Sequence, residues 1–189
     1  MNKLFLLLAL LFCFNTGYSQ EKSEASIFWE QLHSLCGKAF EGILELPEED
    51  EAFGGKRLVM HVRSCSDTEI KIPFFVGDDK SRTWVLTYND DRITLKHDHR
   101  HEDGSEDEIT LYGGTASNSG QKGLQVFPAD PETQTMIPAA SSNVWWITLD
   151  DSTFTYNLRR LGTPRVFRVV MDLTKTIEKP GPPWGWEDK

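Results

Sequence analysis

Beyond Gly37 almost the whole chain alternates apolar and polar residues with period two, and each run ends in turn-forming residues. A strand sends successive side chains to opposite faces, so such runs read as strands with one apolar face. The pattern predicts strands over 38–46, 57–63, 69–76, 82–88, 92–101, 108–112, 124–127, 144–149, 153–160 and 166–173. Asn89-Asp90-Asp91, Asp150-Asp151-Ser152 and Leu161-Gly162-Thr163-Pro164 are short enough to make hairpins. About ten short strands with up-and-down connections predict an all-β fold, most readily an antiparallel barrel, because closure removes exposed strand edges. Helical spacing is clear in one place. Ser23 and Ser26 precede Ile27, Phe28, Leu32 and Leu35, which predicts a short N-terminal helix stopping near Gly37.

The first nineteen residues read differently. Lys3 is followed by eleven apolar residues, Leu4 to Phe14, and then by a polar stretch ending in Gly17 and Ser19. This is the layout of a cleaved export signal, and the apolar run is too short to span a bilayer. Cys13 follows bulky Phe12, which does not suit lipid anchoring of that cysteine. The expected organisation is a signal peptide at 1–19, one barrel domain at 20–177 and a Pro/Gly/Trp-rich tail at 178–189. The expected location is the periplasm or the outside of the cell.

Cleavage before Gln20 removes only Lys3 from the charge count, taking the net charge from −9 to −10. A chain this acidic is repelled by phosphates and anionic lipid, so neither nucleic acid nor a membrane surface is the expected partner. A monomer with a small-molecule ligand is. The two remaining cysteines, Cys36 and Cys65, are an even pair in an exported chain, which predicts a disulfide.

Three of the five histidines stand at alternate positions in His97-Asp98-His99-Arg100-His101. They continue the apolar face of Ile93 and Leu95, so the row is expected to point inward at a strand end. Three roles are open to it. A hydrogen-bonded network with the acids at 102–108 would fix the local hairpin. Neutral imidazoles would also bind a divalent transition metal, zinc first, with His99 common to every model and His61 as the outside ligand. His97 and His101 lie about 13 Å apart along a strand, too far to share one ion. Direct contact with a ligand is the third role.

Arg159, Arg160 and Arg165 flank a hairpin, where two roles are open to them: an anion site, or the commoner one of solvated surface charges. Arg160, however, shares a strand face with Phe154, Tyr156 and Leu158, which makes it a candidate for a cavity wall. Trp145 and Trp146 must face opposite ways. Residues 113–143 contain the longest irregular stretch, of the length usually found in lids. No Gly-x-Ser-x-Gly elbow, phosphate loop or metalloprotease motif occurs, so no reaction is indicated.

The helix carrying Trp29, the strand opening Gly37-Lys38-Ala39-Phe40-Glu41-Gly42 and the closing Arg165-Val166-Phe167-Arg168 resemble the calycin architecture of lipocalins. That resemblance implies a barrel with a small-molecule cavity. It also implies an aromatic of the first strand packed under an arginine of the last, here Phe40 and Arg168. The Gly-x-Trp of that group is absent. His97 to Gly104, Tyr112-Gly113-Gly114 and Phe167-Arg168-Val169 are similar to segments of exported bacterial proteins whose activity is uncharacterised. His99-Arg100-His101 with Glu106 and Gly113 resembles half of the first cupin motif, which implies metal chemistry, but Ile93 replaces its glycine and no histidine follows His101.

The expected protein is therefore an exported barrel holding an unidentified small ligand at its mouth, with His97, His99, His101, Arg160, Tyr112 and Tyr156 around it. A metal-dependent hydrolase or cupin-like enzyme using the histidine strand is one alternative. A non-catalytic interaction module using Trp184 and Trp186 is the other.

Overall fold

A computed structural model of the protein describes residues 21–187; the expected signal peptide lies outside the described residues. Helix α1 (Glu24–His33) leads into strands β1 (Ala39–Leu46), β2 (Leu58–His61), β3 (Ser64–Cys65), β4 (Glu69–Val76), β5 (Asp79–Asn89) and β6 (Arg92–His99). β7 (Tyr112–Thr115), β8 (Leu124–Pro128), helix α2 (Pro131–Met136) and a 3-10 turn (Pro138–Ala140) follow. β9 (Asn143–Leu149), β10 (Thr153–Arg160) and β11 (Val166–Ile177) complete the fold.

The strands form one sheet in the order β7-β6-β5-β4-β2-β1-β11-β10-β9-β8, with β3 added to β4. The first and last strands pair antiparallel, Ala39 opposite Ile177 and Leu46 opposite Arg168. The result is a nearly closed antiparallel barrel of ten strands, the all-β architecture that the alternation predicts. The remaining seam lies between β7 and β8. There the Asp130 N–H donates to the Gly113 carbonyl at 3.0 Å, and the Thr133 hydroxyl bonds both polar groups of Gly113. Gly114 is obligatory at this seam, because a Cβ would overlap the Pro128 carbonyl.

The two ends of the barrel differ. Ser23 caps α1 by accepting from the Ser26 N–H at 3.1 Å, and its hydroxyl donates to Asp91 in the β5–β6 turn. Ala25, Phe28, Trp29 and Leu32 form the buried face of the helix. Trp29 stacks on Tyr88 at 5.5 Å, so α1 covers the end of the barrel where β5 meets β6. Arg82, His99, Arg160 and Phe167 sit at the other end, which is the mouth. Cys36 and Cys65 form the expected disulfide and tie the chain after α1 to β3.

Several expectations need correction. β6 stops at His99, and residues 100–106 form a separate turn in which the His101 N–H donates to the Ser105 carbonyl. The strand expected at 108–112 instead occupies Tyr112–Thr115, because Leu111 adopts φ +55° and breaks the extended run before it. Residues 113–143 are not a loose lid: they supply β7, β8 and α2. Phe40 and Arg168 do not meet. Phe40 is buried opposite Thr176, eight residues along β11 from Arg168, whose guanidinium pairs with Glu45 at 2.8 Å. The tail needs no correction against the reading in which it packs onto the barrel: the Trp184 N–H donates to the Lys80 carbonyl, and Gly185 lies so close to Gly104 that a Cβ on Gly104 would overlap its Cα.

Candidate functional site

A hollow of about 390 Å³ opens at the mouth. β5 contributes Arg82 and Trp84, β6 His97 and His99, β9 Trp145, β10 Tyr156, Leu158 and Arg160, and β11 Phe167. In β5, β6 and β10 these residues alternate along one strand face, the same period-two logic that builds the barrel. Phe53, from the long β1–β2 connection, closes one side. It meets Phe167 edge-on at 4.8 Å and carries the Arg82 guanidinium over its ring at 5.3 Å.

The floor is a sheet of aromatic faces. Trp84 stacks on Tyr156 at 4.5 Å and on Phe74 at 4.7 Å, and His97 stacks on Tyr112 at 4.6 Å. Their polar atoms are satisfied by one another. His97 Nδ1 lies 3.0 Å from the Tyr112 carbonyl oxygen. A carbonyl only accepts, so Nδ1 carries the proton. Burial pushes the His97 pKa down to about 3, leaving the ring neutral and Nε2 bare. The Tyr156 hydroxyl donates to that nitrogen at 2.7 Å. The Tyr112 hydroxyl lies 3.1 Å from His99 Nε2.

Burial also raises the two tyrosines, Tyr112 to about 12, while the positive charges of Arg82 and Arg165 pull Tyr112 back. His99 is lowered by burial and by Arg82. At neutral pH the floor is therefore uncharged and the charge sits on the rim. Arg82 is paired with Asp79. The Arg160 Nε–H donates to the Asn143 side-chain oxygen at 2.9 Å. Arg165 is exposed across the β10–β11 hairpin, its carbonyl accepting from the Arg160 N–H at 3.1 Å.

The expected site residues thus divide. His97, His99, Tyr112, Tyr156 and Arg160 come together around the mouth hollow. His101 does not, because it lies past the strand end and is exposed. His61 does not either. It is buried beside the tail in a second hollow with Arg63, Lys71, Lys179 and Trp186. Burial, then Arg63 and Lys179, lower its pKa to about 4. The metal set of His97, His99, His101 and His61 is therefore not assembled, and no group of three or more His, Cys, Asp or Glu suited to an ion occurs among the described residues. Trp145 faces in and Trp146 is half-exposed, as their adjacency requires.

Sequence reasoning missed Arg82, Trp84, Phe53 and Asn143. Arg82 and Trp84 were legible, since they continue the face of Leu86 as Arg160 continues that of Leu158. Phe53 carries no such signal, because it comes from a non-periodic connection. A scan against protein-family models finds no match, and neither do searches of curated proteins and of solved structures.

Proposed function

We propose that this protein is a small binding barrel that works in an oxidising compartment outside the cytoplasm and holds a small organic molecule in its mouth. The observation that carries this reading is the hollow itself. It is concave, walled by aromatic faces, edged by a few polar groups, and its volume falls within the range of about 300–1,000 Å³ usual for small-molecule sites. A barrel built only for its own stability would fill that space with side chains. Export is supported by the Cys36–Cys65 disulfide and by the signal-like layout of residues 1–19.

The test uses N-phenyl-1-naphthylamine, an uncharged aromatic probe whose emission rises in apolar surroundings. Saturable one-to-one binding is expected, with energy transfer from tryptophan. Ile137→Trp enlarges a half-buried wall residue and should abolish the signal while leaving the unfolding temperature within a few degrees of wild type. Non-saturable emission, or a signal indifferent to Ile137→Trp, would refute the reading.

A further inference from the structure

We infer that the ligand of the mouth hollow is an aromatic monocarboxylate, its flat body lying on the ring faces and its charge held by Arg160 and Arg165; this rests on the ligand-binding reading above.

The inventory of charge at the mouth is the first ground. Three arginines, Arg82, Arg160 and Arg165, line the hollow with a single acid, Asp107. Arg82 is neutralised by Asp79. No ion pair among the described residues involves Arg160 or Arg165. Asp107 in the hollow and Asp50, which lines an adjoining groove with Arg160 and Arg165, form no ion pair with either, so two guanidiniums stand at the rim without a carboxylate partner in a chain whose overall charge is −9. One carboxylate is the partner both lack.

Geometry is the second ground. Asn143 occupies the Nε–H of Arg160, which fixes the guanidinium plane with a neutral partner. Both Nη groups remain for a carboxylate, the shape a guanidinium fork binds best. Arg165 is its neighbour across the hairpin and brings a second guanidinium to the same rim.

The floor sets the body of the ligand. A sugar or polyol needs free donors and acceptors along its whole length. Here Tyr156 is engaged by His97, His97 by the Tyr112 carbonyl, and the Tyr112 hydroxyl by His99. What the hollow offers is aromatic surface: Phe53 and Tyr112 are half-buried at it, with Trp84, Tyr156 and Trp145 packed beneath. Flat apolar surfaces favour a flat apolar body, stacked or edge-on. A cationic ligand would meet the arginines.

The experiment compares 2-naphthoate with 2-naphthamide, which share shape and ring system and differ in charge, by calorimetric titration at low salt. Wild type should bind the acid at least about tenfold more tightly than the amide, the scale expected of charge-assisted hydrogen bonds. Arg160→Gln combined with Arg165→Gln should bring the acid to within about twofold of the amide. Equal binding of acid and amide by wild type, or a preference that survives the double variant, overturns the carboxylate assignment while leaving the ligand-binding reading standing. Failure of both compounds to bind wild type, with no saturable binding of the neutral probe, overturns both.

Discussion

Acid should destabilise this protein well above the range in which carboxylates protonate, and His97 is the reason. The ring is 4 % exposed, stacked on Tyr112 and bonded at both nitrogens, with its pKa lowered from 6.5 to about 3. Between those values the unfolded chain binds a proton that the native protein refuses. Stability attributable to this group is therefore fully present above pH 6.5, falls as pH drops toward 3, and is flat below that. The slope approaches about 1.4 kcal/mol per pH unit, and integration from pH 7 to pH 5 gives a loss of roughly 2 kcal/mol from His97 alone. His61 and His99, also lowered, add in the same direction. Asp79 and Asp130 have carboxyls lowered from 3.8, so what they contribute is lost only as pH falls through 3.8 and further, beneath the pH 7-to-5 interval. The assay is urea unfolding followed by tryptophan emission at pH 7, 6 and 5, on wild type and on His97→Gln. Glutamine keeps a donor for the Tyr112 carbonyl and an acceptor for Tyr156 but cannot titrate. The variant should lose about 2 kcal/mol less than wild type over this interval. A variant with the same pH 7-to-5 difference as wild type would refute the reasoning.

Three further outcomes are expected. Replacing both Cys36 and Cys65 by serine frees a loop with a sequence separation of 29 and should cost about 3–4 kcal/mol by the chain-entropy account; an unchanged urea midpoint would count against it. Tyr156→Phe keeps the stack on Trp84 but strands His97 Nε2, so thermal unfolding should report a loss of about 1–3 kcal/mol, and a neutral result would mean that another donor reaches that nitrogen. Gly114→Ala forces a side chain against the Pro128 carbonyl, so amide exchange in β7 and β8 should accelerate before that of the other strands; wild-type protection there would show that the seam is not what holds this side shut.

The strand pattern was legible because one face of most strands meets solvent. Alternation in β6 and β10 puts His97, Tyr156 and Arg160 on inward faces, and in β9 it requires Trp145 and Trp146 to face opposite ways. It misled where that premise fails. In β2 all four residues from Leu58 to His61 are buried, so periodicity cannot say which face is the inside. Leu58 and Met60 join the core, whereas His61 lies with the tail residues Trp186 and Glu187, which sit far away in sequence. At the end of β6 the alternation of imidazoles runs on to His101 although the strand has ended. The residues that turn the chain, Asp103 and Gly104, lie just beyond it. The Phe40–Arg168 pairing rests on the calycin resemblance and on no residue pattern, and the β1–β11 register sets the two residues eight positions apart along β11. At the mouth, the charged rim was half visible in Arg160 and hidden where it rests on Asn143, a partner from another strand.

The pairing of β1 with β11 also fixes when this protein can become itself. Residues 39–46 are among the first of the barrel to leave the ribosome, and their partners at 168–177 are the last. Until those arrive, the nascent sheet has two raw margins and cannot close. Every intermediate length of chain is thus an open ribbon vulnerable to proteases and to joining its own kind. Folding is accordingly a single late event, slowed by the need to bring the two ends together.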